Sequence, residues 1–122
     1  MTGPQGASRG VARREARLWV AQRATAVVLA FCVVVHLATI IYAVRGGLSA
    51  AEILGRTRGN HAWALFYGIF VLAAAVHGAI GLRTVASEWL GLRGNAAQVA
   101  MVLVAIVLAM LGLRAVYAVV AT

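Results

Sequence analysis

Residues 71–85 read VLAAAVHGAIGLRTV, and this stretch places one histidine, His77, in the middle of a run of apolar residues. An arginine, Arg83, follows six residues later. The run belongs to an apolar segment from about residue 62 to 89, which exceeds the ~20 residues that a helix needs to cross a bilayer. The stretch therefore predicts a transmembrane helix that carries an ionisable side chain deep in its apolar part.

Two further apolar segments lie on either side of this one, at about residues 18–44 and 96–121. Only helices are plausible for such spans, because an open strand would leave backbone polar groups unpaired in hydrocarbon. We therefore predict an all-α fold, a bundle of three transmembrane helices (about 18–44, 62–89 and 96–121). They form a single transmembrane domain over residues 18–121, preceded by a flexible basic segment at residues 1–17.

The composition excludes a soluble protein of this size, since 63% of the residues are hydrophobic and only 11% are charged. Eleven basic residues against three acidic ones give a formal charge of +8. These arginines lie between apolar runs, as at the ends of membrane spans, so we predict contact with membrane lipid and no nucleic-acid partner. The single cysteine, Cys32, excludes an intrachain disulfide, and residues 1–17 show no secretory signal.

The arginines also predict an orientation. They are concentrated in the N-terminal segment and around the connection between the second and third spans, which is flanked by Arg83 and Arg93. The positive-inside rule places both regions in the cytoplasm. The N-terminus is therefore predicted to be cytoplasmic.

Two histidines lie deep in the spans, His36 in the first and His77 in the second, whereas His61 is at a span end. A lone buried histidine usually forms a hydrogen bond with a neighbour. Both spans, however, have few polar groups nearby, and small residues adjoin the histidines (Ala38, Ala74, Gly78 and Gly81). Such residues let a flat ligand or another helix approach closely. A neutral imidazole in a dry helical bundle is a good axial ligand for haem iron.

The depths of the two histidines indicate whether both could ligate the same haem. Counted from the apparent span ends at 1.5 Å per residue, they differ in level by about 5–10 Å, with His36 nearer the outer face. The axial ligands of one haem must meet the iron at one level. We therefore expect each histidine to pair with a histidine of another chain, or one of them not to be a ligand.

Three stretches carry a family resemblance: QRATAVVLAFCVVVHL (22–37), HGAIGLRTVASEWLG (77–91) and LGLRAVYAVV (111–120). In order and spacing they resemble the cytochrome b membrane subunits of succinate dehydrogenases and fumarate reductases. The resemblance implies that His77 ligates haem b near the cytoplasmic side. It implies that His36 ligates an outer haem, as in two-haem members. It also implies one or two haems shared with a homologous membrane subunit or a second copy of the chain.

The resemblance also implies a quinone site. Arg23 and Thr25 match the family's [HQ]-R-x-[ST]-G signature near the quinone pocket, although Ala26 replaces its glycine. Glu88 sits where a carboxylate would relay a proton to quinone, with an ordinary solvated glutamate as the alternative. Arg83 would pair with a haem propionate or act as a positive-inside anchor.

The expected function is that of a membrane-anchor cytochrome b subunit in the bacterial inner membrane. It would pass electrons between a flavoprotein subunit, an iron–sulfur subunit and the quinone pool of the respiratory chain. Two other classes remain open at this point. One is a haem-free anchor or assembly protein, in which the histidines only form hydrogen bonds between helices. The other is a small transporter, in which His36, His77 and Glu88 relay protons.

Overall fold

The computed structural model describes residues 3–121 and shows four α-helices and no strand within that range. They are α1 (Pro4–Arg45), α2 (Ala50–Thr57), α3 (His61–Trp89) and α4 (Gly94–Val120). Three of them, α1, α3 and α4, are long and apolar enough to cross a membrane. The predicted all-α class and the three spans are therefore confirmed.

Helix α1 differs from the prediction at its start. It begins at Pro4 and runs for 42 residues, so residues 4–17, which the sequence predicts as a flexible segment, are helical and continuous with the first span. Residues 1 and 2 of that segment lie outside the described residues. Proline suits the first turn of a helix, and the alanines, arginines and Glu15 that follow are good helix formers. No later proline interrupts them.

Helix α3 is the centre of the domain, because it packs against both α1 and α4, whereas α1 and α4 scarcely touch. Both pairs are antiparallel. The buried positions of α3 and α4 are mostly alanines: Ala73, Ala75, Ala79 and Ala97. Large apolar side chains point outward instead, as at Val27 and Phe31, which are 72% and 66% exposed. Small residues inside and large ones outside are typical of helices that pack together in lipid.

Two glycines set the spacing of α3 and α4. A Cβ at Gly112 would lie 3.0 Å from Val71 Cγ2 and closer still to Cγ1. A Cβ at Gly78 would lie 3.3 Å from Leu108 Cδ1. The backbones therefore approach to a distance that a larger residue at position 112 would prevent.

Helix α2 occupies the connection between the first two spans, where the sequence predicts only a loop. A capping box starts it: the Ser49 backbone N–H donates to Glu52 Oε2 at 2.7 Å, and the Glu52 N–H donates to Ser49 Oγ at 3.3 Å. The backbone N–H of Ser49, and to a smaller extent its side chain, lower the pKa of the Glu52 carboxyl. At its other end, Thr57 Oγ1 donates to Val119 O at 2.7 Å, which ties α2 to the end of α4.

Candidate functional site

A polar contact between α1 and α3 lies at His77. Its Nδ1 is 3.3 Å from Thr25 Oγ1 on α1. The same hydroxyl is 2.7 Å from Ala21 O and 3.1 Å from Gln22 O, both in its own helix. The His77 ring is half-buried, and its Nε2 has no hydrogen-bond partner among residues 3–121.

A second polar contact joins the same two helices at His36. Its Nδ1 is 3.3 Å from Tyr67 Oη on α3. The ring also meets Tyr67 and Phe70 edge to face, with centroids 5.6 and 5.7 Å apart. Trp63 stacks on Tyr67, so the half-buried His36 lies at the end of a row of aromatic side chains on α3.

The levels of the two histidines differ more than the sequence predicts. His77 is level with Thr25, and His36 is eleven residues further along α1. At 1.5 Å per residue the histidines are about 16 Å apart along the bundle, not 5–10 Å. The expectation that they cannot share one iron is strengthened by this larger separation.

The two glycines beside His77, Gly78 and Gly81, pack against neighbouring helices. A Cβ at Gly81 would lie 3.6 Å from Gln22 Nε2 of α1, and Gly78 lies against Leu108 of α4. Of the two roles that the sequence allows for these glycines, the approach of another helix is the one the structure shows. Ala74 is exposed and lines a cavity.

Two cavities adjoin His36 beneath α2. One, of about 340 Å³, lies toward α1 and α2 and includes Tyr42 and Arg56 in its wall. The other, of about 390 Å³, lies between α3 and α4 and includes Ala74 and Gly112. Both are lined mainly by apolar atoms, and His36 and Tyr67 face both. The α2 end of the bundle thus has open apolar space beside an imidazole.

Arg83 is engaged by side chains of both neighbouring helices. Its Nη2 donates to Glu15 Oε1 of α1 at 2.8 Å. With the Gln98 amide oriented so that its oxygen faces the guanidinium, Oε1 accepts from Arg83 Nε at 3.3 Å and Nη2 at 3.1 Å. The Arg83 side chain is only 16% exposed, while that of Glu15 is 54% exposed. This cluster joins side chains of α1, α3 and α4 at the arginine-rich end of the bundle, which is the end where α1 begins.

The residues expected at a quinone pocket are not gathered in one place within this chain. Thr25 faces α3, whereas Arg23, two residues earlier, is exposed and lies over the Trp19 ring, 5.3 Å from its centroid. Glu88 is exposed and eleven residues beyond His77 toward the arginine-rich end. At 1.5 Å per residue Glu88 lies about 13 Å below the level of Arg23.

Gln22 is a polar residue at this crossing to which the sequence assigned no role of its own. Its Oε1 is buried and has no hydrogen-bond partner among the described residues. Its Nε2 lies over Gly81, one helical turn from His77. A buried acceptor without a donor is unfavourable. The sequence signal was its position directly before Arg23.

The residues present fit one axial haem ligand at each of two levels. At His77, Nδ1 is held by a protein group and Nε2 is free, which is the arrangement usual for a metal-bound imidazole. Residues 3–121 contain no cluster of three or more His, Cys, Asp or Glu side chains suited to a bare metal ion. Because the glycines beside His77 are filled by neighbouring helices, the rest of a haem pocket there would have to come from a partner chain.

Comparison with protein families identifies a family whose sequence model covers most of the chain. The sequence model of the family described as succinate dehydrogenase/fumarate reductase transmembrane subunit matches residues 6–113. Comparisons with curated proteins and with solved structures find no match.

Proposed function

The chain belongs to the family of succinate dehydrogenase/fumarate reductase transmembrane subunits, and on that premise we propose that it is a haem b-binding membrane anchor of such a complex. The soluble partners would be an iron–sulfur subunit and a flavoprotein subunit, which carry the succinate chemistry. Haem b, when bound, supplies one-electron redox chemistry between those subunits and quinone. The residues of this chain hold, orient and insulate it.

The observation that carries the proposal is the pair of half-buried histidines in the interface between α1 and α3, about 16 Å apart in level. Each has its Nδ1 next to a hydroxyl of the neighbouring helix, at 3.3 Å. His77 would hold one haem toward the arginine-rich end and His36 a second toward the α2 end. Each would supply one ligand to its haem, and a homologous subunit or a second copy of the chain would supply another.

A second copy with the same orientation in the membrane meets the level requirement directly. An axis along the membrane normal places each histidine opposite its own counterpart. His77 then faces the partner's His77, and His36 the partner's His36, although the two levels differ. The weak packing of α1 on α4 leaves a broad apolar surface for such a partner.

Quinone chemistry would likewise use more than one chain. Arg23 is exposed and carries a guanidinium beside Trp19, at the surface where a partner would cover it. A guanidinium donates strong hydrogen bonds to the oxygen of a reduced quinone. Glu88 lies nearer the membrane surface and would exchange protons with water.

One observation favours the alternative of a haem-free anchor: both histidines already have hydrogen-bond partners inside the chain. In that case the two imidazoles would only join α1 to α3. A proton-relay transporter has less support. The three spans are unbroken helices in the described residues, whereas transporters of that kind typically use discontinuous ones.

The deciding experiment is a reduced-minus-oxidised spectrum, with haem quantitation, of the complex purified with its soluble subunits. The wild type should contain b-type haem. His77→Ala should lose the haem at the arginine-rich end, and His36→Ala should affect only a second haem. His61→Ala is the matched control, because His61 is exposed at the start of α3 and should leave the spectrum unchanged.

Two outcomes would contradict the proposal. Absence of haem from the intact wild-type complex would favour the haem-free anchor. Full haem content in the His36→Ala/His77→Ala double variant would show that other residues are the ligands.

A further inference from the structure

We propose that Thr25 is a positioning residue that holds His77 in the tautomer protonated at Nδ1 and so leaves the Nε2 lone pair for the iron. The inference rests on the proposed haem function. It starts from the 3.3 Å contact between Thr25 Oγ1 and His77 Nδ1. The sequence resemblance assigns Thr25 to the quinone site, whereas its contact with His77 involves no quinone.

The direction of the hydrogen bond follows from the number of protons available. A threonine hydroxyl has one proton to donate and two lone pairs. In Thr25 the proton is taken by the helix backbone, since Oγ1 lies 2.7 Å from Ala21 O and 3.1 Å from Gln22 O. Toward His77 the oxygen can then only accept. The proton in that contact must belong to Nδ1, which makes Nε2 of the neutral ring the unprotonated nitrogen.

His36 provides a contrast within the same chain. Its partner is Tyr67 Oη, which has no other acceptor for its proton among residues 3–121. Tyr67 is therefore free to donate to Nδ1, which would protonate Nε2 and prevent it from binding iron. The helix backbone determines the tautomer at His77 and leaves it undetermined at His36.

A fixed Nδ1–H has an electronic consequence as well as a geometric one. When the far nitrogen of a ligating imidazole donates a hydrogen bond, the ring becomes a more basic ligand. A more basic ligand favours the ferric state over the ferrous state, which lowers the midpoint potential. Loss of the Thr25 acceptor should therefore raise the potential of the haem at His77 and leave that at His36 unchanged.

A pair of substitutions separates the hydroxyl of Thr25 from its methyl group. Thr25→Val keeps the methyl and loses the hydroxyl, and Thr25→Ser does the reverse. Thr84→Val is the control, because the Thr84 hydroxyl bonds only to Ile80 O of its own helix. In the intact complex, Thr25→Val should raise the midpoint potential of one haem or lower its occupancy. Thr25→Ser and Thr84→Val should match the wild type.

A second measurement does not depend on haem. In the full-length haem-free chain labelled with ¹⁵N-histidine, the nitrogen shifts of His77 report which ring nitrogen carries the proton. The wild type and Thr25→Ser should be protonated at Nδ1, and Thr25→Val should move toward Nε2.

The outcomes distinguish this inference from the proposed function. Protonation of His77 at Nε2 in the wild type, or equal potentials in the wild type and Thr25→Val with haem present, would overturn the role of Thr25 alone. Equal impairment of the serine and valine variants would do the same, because packing would then explain the effect. Failure of the proposed function would appear instead as a wild-type complex without haem.

Discussion

Val71 on α3 lies against the bare Cα of Gly112 on α4, and no side chain fits between them. This close approach lies between α3 and α4, the two helices that pack most extensively. Because the residues in the α3–α4 interface are small, the separation of the helix axes depends on Gly112. The first prediction tests this dependence.

Gly112→Ala should destabilise the domain by about 1–3 kcal/mol, the usual range for an overpacked interior. The added methyl would meet Val71 Cγ1 and Cγ2 and force α3 and α4 apart. The measurement is the thermal midpoint of the purified complex followed by circular dichroism. Gly68→Ala is the matched control: it lies in α3, has nothing within 4 Å of its Cβ position and should not lower the midpoint.

The Arg83–Glu15 ion pair should contribute little free energy of its own. Glu15 is more than half exposed, so water and salt screen the pair, and we expect a coupling below about 1 kcal/mol. A double-mutant cycle with Arg83→Gln and Glu15→Gln measures it. The coupling should shrink as salt is added.

A cycle of Glu15→Gln with Arg93→Gln should show no coupling, since no ion pair joins those two residues. If Glu15→Gln also left the haem spectrum unchanged while Arg83→Gln altered it, Arg83 would contact the haem rather than only α1. Identical spectra for both variants would leave it an anchor.

Acid should loosen α2 before the membrane-spanning helices. The pKa of Glu52 is lowered by its bonds to Ser49, so the ionised carboxylate stabilises the first turn of α2 at pH values above its ordinary pKa. This stabilisation is lost as the pH falls through the lowered value. Hydrogen-exchange protection of the α2 amides should drop severalfold across that window.

Glu52→Gln should remove most of this pH dependence, because the amide does not titrate. An equally large drop in the Glu52→Gln variant would mean that a group other than Glu52 controls α2.

The bond from Thr57 to α4 should hold α2 over the cavities beside His36. Thr57→Val removes the donor to Val119 O while keeping the side-chain shape, and should increase hydrogen exchange throughout α2. Thr57→Ser keeps the hydroxyl and should behave as the wild type. Unchanged exchange in the valine variant would show that the second link, Gly59 N–H to Val120 O at 2.8 Å, is sufficient.

The sequence predicted the membrane-spanning helices well because apolar length alone determines them. It did not predict α2, although the capping signal is present in Ser49 and Glu52. That helix has only eight residues, with glycines on both sides, so it is too short to stand out as an apolar segment in the sequence. Nor does the sequence predict that α1 begins at Pro4, because residues 4–17 are too polar to show as part of an apolar span.

The vertical register between helices could not be predicted from span ends. Counting from Leu18 and Glu88 assumed that both lie at the same level. In the structure, His77 is level with Thr25, so the end of α3 lies beside residues near Arg14 instead. Register depends on contacts such as Val71–Gly112 and Thr25–His77, and neither contact produces a periodic pattern in the sequence from which it could be predicted.

Because α1 is one unbroken helix from Pro4 to Arg45, the direction in which its basic N-terminal side chains point is fixed relative to that of His36. Deleting one residue between Arg14 and Arg17 would rotate the preceding turns by about 100° relative to the first span and shift them by about 1.5 Å along the helix axis. Deleting seven residues from the N-terminal turns would nearly restore the direction and change only the height, by about 10 Å. The number of residues in this part of α1 would therefore set the orientation of any partner bound to its N-terminal turns.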